Sequence, residues 1–157
     1  ESVEWPGRLQ RLTTGRLHDL AASGTEIWVD GGHNPGAGRV VAEAMANREE
    51  IDPRPLFIIA GMLNTKEPQG FFEPFVGIAR HVFTVPIEAS DAGLDPVALA
   101  ADAGEAGLSA EPVSDVETAM RTIAEMWSDE SSPPRVLIAG SLYLVGDVLK
   151  LNGTPPQ

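Results

Sequence analysis

Apolar and polar positions along the chain fall into two alternating rhythms. Glu26-Ile27-Trp28-Val29-Asp30 is a short β-branched and aromatic run that ends in Gly31-Gly32, the mark of a strand. Asn34-Pro35 follows as a helix N-cap with proline at the first helical position. Beyond it Ala37, Val40, Val41, Ala44 and Met45 recur at helical spacing and predict one apolar face. Residues 55–62 are apolar without alternation, which suits a strand covered on both faces, as in the centre of a parallel sheet. Residues 81–86 and 135–140 predict two more strands.

Between them lie helical patterns. Phe71, Phe72, Phe75, Val76 and Ala79 share a face, with Pro74 placed in a first turn. Asp95-Pro96 is a second cap-and-proline pair, with Leu94 and Leu99 spaced as a hydrophobic staple. Ser114-Asp115-Val116-Glu117 has capping-box spacing ahead of Val116, Ala119, Met120, Ile123, Ala124 and Trp127. Four strand–helix alternations predict an α/β fold, Rossmann-like, with a mostly parallel sheet and helices on both faces. The first 25 residues break the rhythm. Leu9, Leu12 and Leu17 suggest an opening strand or hairpin at a sheet edge. Residues 151–157 read as a frayed tail.

Composition narrows the class. At 157 residues the chain fits one domain spanning 1–157. Eleven Lys and Arg against 23 Asp and Glu give a net charge of −12, which argues against nucleic acid and anionic membranes as partners. No cysteine is present, which excludes a disulfide framework and Cys-based zinc, and fits a reducing compartment. Glu1 to Trp5 has neither the basic head nor the apolar stretch of a secretory leader. These features lead to the expectation of a cytoplasmic protein.

In a parallel sheet, ligands bind beyond the carboxyl ends of the strands, and three such ends carry polar residues. Asp30-Gly31-Gly32-His33-Asn34-Pro35 puts a carboxylate and an imidazole beside a helix N-terminus, where an anion is favoured. The same residues could simply satisfy turn and cap amides. Lys66, after the second strand, could meet a phosphate or carboxylate, or be a solvated loop lysine. Ser141, after the last strand, could touch a ligand or cap a helix. No G-x-x-x-x-G-K-[ST] phosphate loop occurs. Gly36-Ala37-Gly38-Arg39-Val40-Val41 is a poor dinucleotide fingerprint, because its glycines follow Pro35. His18, His33 and His81 show no metal-ligand spacing, so no metal site is expected.

Trp5-Pro6-Gly7-Arg8-Leu9-Gln10, the Asp30–Pro35 segment, Gly61-Met62-Leu63 with Lys66, and Gly140-Ser141-Leu142-Tyr143-Leu144-Val145-Gly146 occur in that order. Together they resemble the C-terminal domain of folylpolyglutamate synthase/dihydrofolate synthase, in the Mur ligase superfamily. The resemblance implies an ATP-dependent ligase that adds glutamate to dihydropteroate or folyl(poly)glutamates through an acyl phosphate. It implies ATP and Mg2+ as cofactors, held mostly by an N-terminal P-loop ATPase domain of the same polypeptide. This chain alone would then be inactive, and the enzyme a monomer. By position, Arg8, Asp30, His33 and Asn34 would face the nucleotide, with Asp30 accepting from ribose hydroxyls and His33 near the transferring phosphoryl. Lys66 would join His33 in catalysis, and Lys66 and Ser141 would line the amino-acid side of the cleft.

Two positions depart from the family pattern. Gly32 stands where alanine is usual, a change expected to cost little beyond backbone freedom. Thr65-Lys66-Glu67 replaces Asp-Lys-Asp. Two other readings compete: an NAD(P)-binding domain of an oxidoreductase, and a non-catalytic interaction module that shares only the fold.

Overall fold

Strands β2 (Glu26–Asp30), β3 (Leu56–Ala60), β4 (Ala79–Thr84) and β6 (Arg135–Ala139) form the centre of a six-stranded sheet in this computed structural model. The structure describes residues 9–64, 67–127 and 131–154. The strand order is β1-β2-β6-β3-β4-β5, with β1 (Gln10–Leu12) at one edge and β5 (Ala110–Pro112) at the other. Every pairing is parallel except β1 with β2. The expected opening strand is therefore present, as an antiparallel edge.

Burial shows why the central runs lack alternation. Ile27, Val29, Phe57, Ile59, Phe83, Val136 and Ile138 point to one face, where they pack with residues of α1 (Arg16–Leu20), α5 (Val116–Met126) and α6 (Leu142–Asn152). Leu56, Ile58, Ala60, Val82, Leu137 and Ala139 point to the other, against α2 (Pro35–Ile51), α3 (Pro68–Phe72) and α4 (Pro96–Ala106). Both faces are covered, so both sets of alternate positions are apolar. Met120 and Ile123 lie on the first face as their spacing predicts. Among the described residues, no helix is long and apolar enough to cross a membrane.

Several local expectations change. The buried stripe of α2 is Gly38, Val41, Ala42 and Met45, whereas Val40 is 67% exposed. The stripe is rotated because α2 packs on α3, as well as on the sheet. The phenylalanine helix is cut short: α3 ends at Phe72 and a 3-10 turn, Glu73–Phe75, begins around Pro74. Phe71, Phe72 and Phe75 are buried, Val76 is exposed and Ala79 opens β4. The cap of α5 is Asp115, not Ser114. Its Oδ1 accepts from the Thr118 amide at 2.7 Å, which holds its carboxyl below the usual aspartate range. Glu117 pairs with Arg16 of α1, in place of closing a capping box. β5 went unpredicted because Ala-Glu-Pro has no strand pattern of its own.

The tail expectation is corrected in part. Leu151 and Asn152 complete α6, and Gly153 closes it in the left-handed conformation. Asn152 is buried; its Oδ1 accepts from the Leu17 amide at 2.9 Å and its Nδ2 donates to the Thr14 carbonyl at 2.9 Å. Such a fully paired amide ties the C-terminal helix to the β1–α1 connection. Residues 155–157 lie outside the described residues.

At the amino ends of β2 and β6 sits a buried ionic cluster that the sequence patterns did not signal. Glu26 Oε1 accepts from Arg135 Nε at 2.6 Å, Trp28 Nε1 at 2.6 Å and Arg48 Nε at 3.2 Å. Arg135 also donates to the Asp52 carbonyl at 2.9 Å, and Arg48 stacks 5.0 Å above the Trp28 ring. Burial alone would raise the Glu26 pKa. The hydrogen bonds from Arg135, Trp28 and Arg48 outweigh it and hold the group at about 2.

Candidate functional site

The chain reverses its direction of travel across the sheet at β6. After β2, β3 and β4 the helices α2, α3 and α4 lie on one face; α5 and α6 lie on the other. β2 and β6 are neighbours, so α2 and α6 leave adjacent strands toward opposite faces. That splitting opens a crevice beyond the carboxyl ends of the strands, the place where such sheets bind ligands. Here it is a cleft of about 420 Å³ lined by His33, Leu63, Asn64, Gly140, Ser141, Leu142 and Tyr143.

Three loops build it. The β2–α2 turn carries His33, exposed, and Asn34, whose Oδ1 accepts from the Ala37 amide at 2.8 Å to cap α2. The β3–α3 loop brings Leu63 and Asn64, and is pinned to the next loop by Asn64 N–H donating to the Ala92 carbonyl at 2.9 Å. The β6–α6 turn brings Gly140 and Ser141. Gly140 has φ +116°, and a Cβ there would lie 2.6 Å from the Gly61 carbonyl oxygen. Only glycine lets the β3 and β6 turns meet this closely at the cleft floor. The Ser141 Oγ accepts from the Tyr143 amide at 3.0 Å, capping α6, and the residue is 4% exposed.

The positive ends of two helices, of 17 and 11 residues, thus flank one cleft. Free first-turn amides and the helix dipoles favour an anion there, against the overall negative charge of the chain. Asp30 ends β2 next to this turn and is 5% exposed. Its Oδ1 accepts from the Leu9 amide and its Oδ2 from the Gly32 amide, each at 2.8 Å. Both oxygens accept from backbone amides, so the carboxylate holds the turn together. Gly32 also has a packing reason: a Cβ there would meet the Ala37 Cβ at 2.5 Å. An alanine at this position would need Ala37 and the Asp30 carboxylate to shift.

His33, Asn34, Asp30 and Ser141 come together at one end of the sheet, on the adjacent strands β2 and β6. Lys66 and Arg8 lie outside the described residues. Asn64, Leu142 and Tyr143 line the cleft without having been singled out; Leu142 and Tyr143 adjoin Ser141 and are exposed despite their apolar bulk. Among the described residues no group of three or more His, Asp or Glu is placed to hold a metal ion.

Comparison with known proteins follows the same outline. Residues 7–142 match the family described as Mur ligase, glutamate ligase domain. The chain is 30% identical over 149 residues to a probable bifunctional folylpolyglutamate synthase/dihydropteroate synthase of Halobacterium salinarum, covering 93% of this chain and 16% of that protein. It is 24% identical over 159 residues to the dihydrofolate synthetase of Saccharomyces cerevisiae, covering 97% of this chain and 36% of the yeast protein. Among solved structures, the folylpolyglutamate synthase of Mycobacterium tuberculosis complexed with ADP and AMPPCP superposes with a TM-score of 0.75 at 26% identity. That match covers 99% of this chain and 34% of the mycobacterial one. The chain therefore spans about a third or less of the length of these relatives.

Proposed function

Because this chain belongs to the Mur ligase, glutamate ligase domain family, we propose that it supplies one half of the active site of an ATP-dependent ligase. The ligase joins glutamate to dihydropteroate or to folyl(poly)glutamates. The observation that supports this most is the cleft in which His33 and Ser141 meet between the N-termini of α2 and α6. Such a place suits polyanions: a nucleotide phosphate, a phosphorylated carboxylate and the carboxylates of glutamate.

In this reading each residue has a distinct task. The His33 imidazole donates a hydrogen bond to a phosphoryl oxygen, a contact that strengthens as charge builds in the transition state. Asn34 keeps the α2 amides aligned toward the same oxygens. Ser141 accepts from Tyr143 N–H, which leaves its own hydroxyl hydrogen to donate to the substrate on the amino-acid side. Arg8 and Asp30 belong to the nucleotide side, and Lys66 to the junction of phosphoryl group and glutamate; for Arg8 and Lys66 the support is sequence position alone. ATP would set its phosphates against these donors. Magnesium would be held mostly by the ATPase domain, since no group of three or more His, Asp or Glu is placed for it among the described residues.

The chain is one folded domain in this reading, and a P-loop ATPase domain on the same polypeptide closes over the cleft. Exposed Leu142 and Tyr143 at its rim fit a surface that another domain covers. The dinucleotide reading is less well supported: Gly36 and Gly38 lie inside α2 and not in the turn before it, where the dinucleotide fingerprint needs its glycines.

Incubating the complete polypeptide with ATP, magnesium, a folate-type acceptor and radiolabelled glutamate tests this. ATP-dependent incorporation of label into the acceptor is expected. Tight NADPH binding with no ATP-dependent incorporation would overturn the proposal.

A further inference from the structure

We propose that Asp147 of α6 is a positioning residue, which holds the β4–α4 loop and, through it, the part of the β3–α3 loop that lines the cleft. The inference rests on the ligase reading for its catalytic consequence, and on the geometry alone for the chain of contacts. Asp147 is half-buried and is not among the residues that line the cleft. Its Oδ2 accepts from the Glu88 amide at 2.8 Å and from the Ala89 amide at 3.3 Å, 59 and 58 positions away. Further along, the same loop runs beside the β3–α3 loop. The Asn64 amide donates to the Ala92 carbonyl at 2.9 Å, the Leu94 amide donates to the Met62 carbonyl at 2.7 Å, and Leu63 pairs with Gly93 as an antiparallel bridge. Leu63 and Asn64 are the residues of that loop that line the cleft. One carboxylate on α6 therefore secures the near end of a loop whose far end carries part of the cleft wall.

The packing shows why this contact sets the course of the loop. Ile87, just before the first clasped amide, is buried, and a Cβ at Gly61 would lie 3.4 Å from Ile87 Cγ1 and 3.2 Å from Leu144 Cδ2. The end of β3, the loop and α6 thus meet at one packed point. Beyond it residues 88–92 are exposed or half-buried. Little apolar burial holds that stretch, so the polar contacts at its two ends place it. The helix that anchors it is the one that Ser141 caps, six positions before Asp147. Asp147 therefore ties the β3–α3 loop to the element that brings Ser141 to the cleft. In the ligase reading that loop leads, two positions past Asn64, to Lys66 at the junction of phosphoryl group and glutamate. The two amides share one oxygen, so an asparagine can serve both with its carbonyl oxygen, whereas an alanine serves neither.

The test has a structural arm and a kinetic arm. In this 157-residue chain, whose helices cover both faces of its own sheet, Asp147→Ala should speed hydrogen exchange at the Glu88 and Ala89 amides by about 3–10-fold, the scale of one exposed hydrogen bond. Exchange at the Asn64 and Leu94 amides should quicken with it, while Val29 and Ile138 stay unchanged. In the complete enzyme, Asp147→Ala should raise the KM for glutamate by about 3–10-fold on the same scale and leave the KM for ATP unaltered. Asp147→Asn should keep the wild-type values in both arms. A loss of stability alone would lower the amount of active enzyme and move neither KM. Exchange that quickens at Glu88 and Ala89 only, a KM for glutamate equal to that of the wild type, or an asparagine variant as impaired as the alanine would overturn the proposal. Should Asp147→Ala fail to fold, Glu88→Pro read against Glu88→Ala removes the 2.8 Å donor and leaves the carboxylate in place. Glu88→Pro should then raise the KM for glutamate where Glu88→Ala does not, and equal values would contradict the proposal. A wild-type enzyme without ATP-dependent ligation would refute the ligase reading, and the exchange arm would still decide the chain of contacts.

Discussion

Arg135 donates from Nε to Glu26 Oε1 at 2.6 Å, and both side chains are 1% exposed, at the end of the sheet opposite the cleft. The pair joins the first residues of neighbouring strands, 109 positions apart in sequence. Removing one partner strands the other charge in the interior. Glu26→Gln or Arg135→Met should each destabilise the fold by about 3–5 kcal/mol, the scale for breaking a buried pair. Urea unfolding measures this, and a loss below 1 kcal/mol would show that water reaches the cluster.

The same pair gives the fold an acid dependence of defined sign. Glu26 is lowered from an ordinary 4.5 to about 2 in the folded chain. Its ionised form is favoured by folding, so the stabilisation is complete above pH 4.5 and fades as pH falls toward 2. The difference corresponds to about 3 kcal/mol. Stability of Glu26→Gln followed over this range should fall less steeply than that of the wild type. Parallel curves would place the acid sensitivity elsewhere.

The C-terminal helix should depend on Asn152. In Asn152→Ala the Leu17 amide and the Thr14 carbonyl lose their partners. Leaving the buried Leu17 amide unpaired costs about 1–3 kcal/mol, and the more exposed Thr14 carbonyl less. For a chain of this length that corresponds to a melting temperature lowered by several degrees, about 2–4 °C per kcal/mol. An unchanged melting curve would mean that water substitutes for the amide.

What the sequence made legible was local. Asn34-Pro35 and Asp95-Pro96 cap α2 and α4 as their spacing implies, because a cap involves residues two or three positions apart. The unalternating apolar run at 55–62 announced a strand buried on both faces, 136–139 announced the last buried strand, and the strand–helix order placed His33 and Ser141 at one end of the sheet. The pairing of Glu26 with Arg135, and of Asn152 with Leu17 and Thr14, was not legible, since these partners lie more than 100 positions away. Val40 misled because α2 packs against α3 as well as the sheet, which turns its buried stripe. Asp30 drew attention as a strand-end carboxylate, but only coordinates show its oxygens turned to Leu9 and Gly32.

On its own the chain should bind ATP weakly. It carries no phosphate loop and a net charge of −12, so the cleft must hold polyphosphate against an unfavourable field. Calorimetry on the 157-residue chain should give a Kd near the millimolar range, about −4 kcal/mol, with no phosphate release. Joining the ATPase domain on the same chain should restore turnover by raising the effective concentration of the two halves. Micromolar binding to the chain alone would refute the half-site account.

The central claim is that the cleft between α2 and α6 acts on a transferring phosphoryl group, and His33 is an exposed donor in its lining. The most direct measurement is steady-state ligation by His33→Ala in the complete enzyme, with ATP and glutamate varied separately. Loss of a donor that acts in the transition state should lower kcat by about 10–1,000-fold and change the KM for ATP little. A mutant with unaltered kcat would return His33 to a residue of the turn and contradict the account.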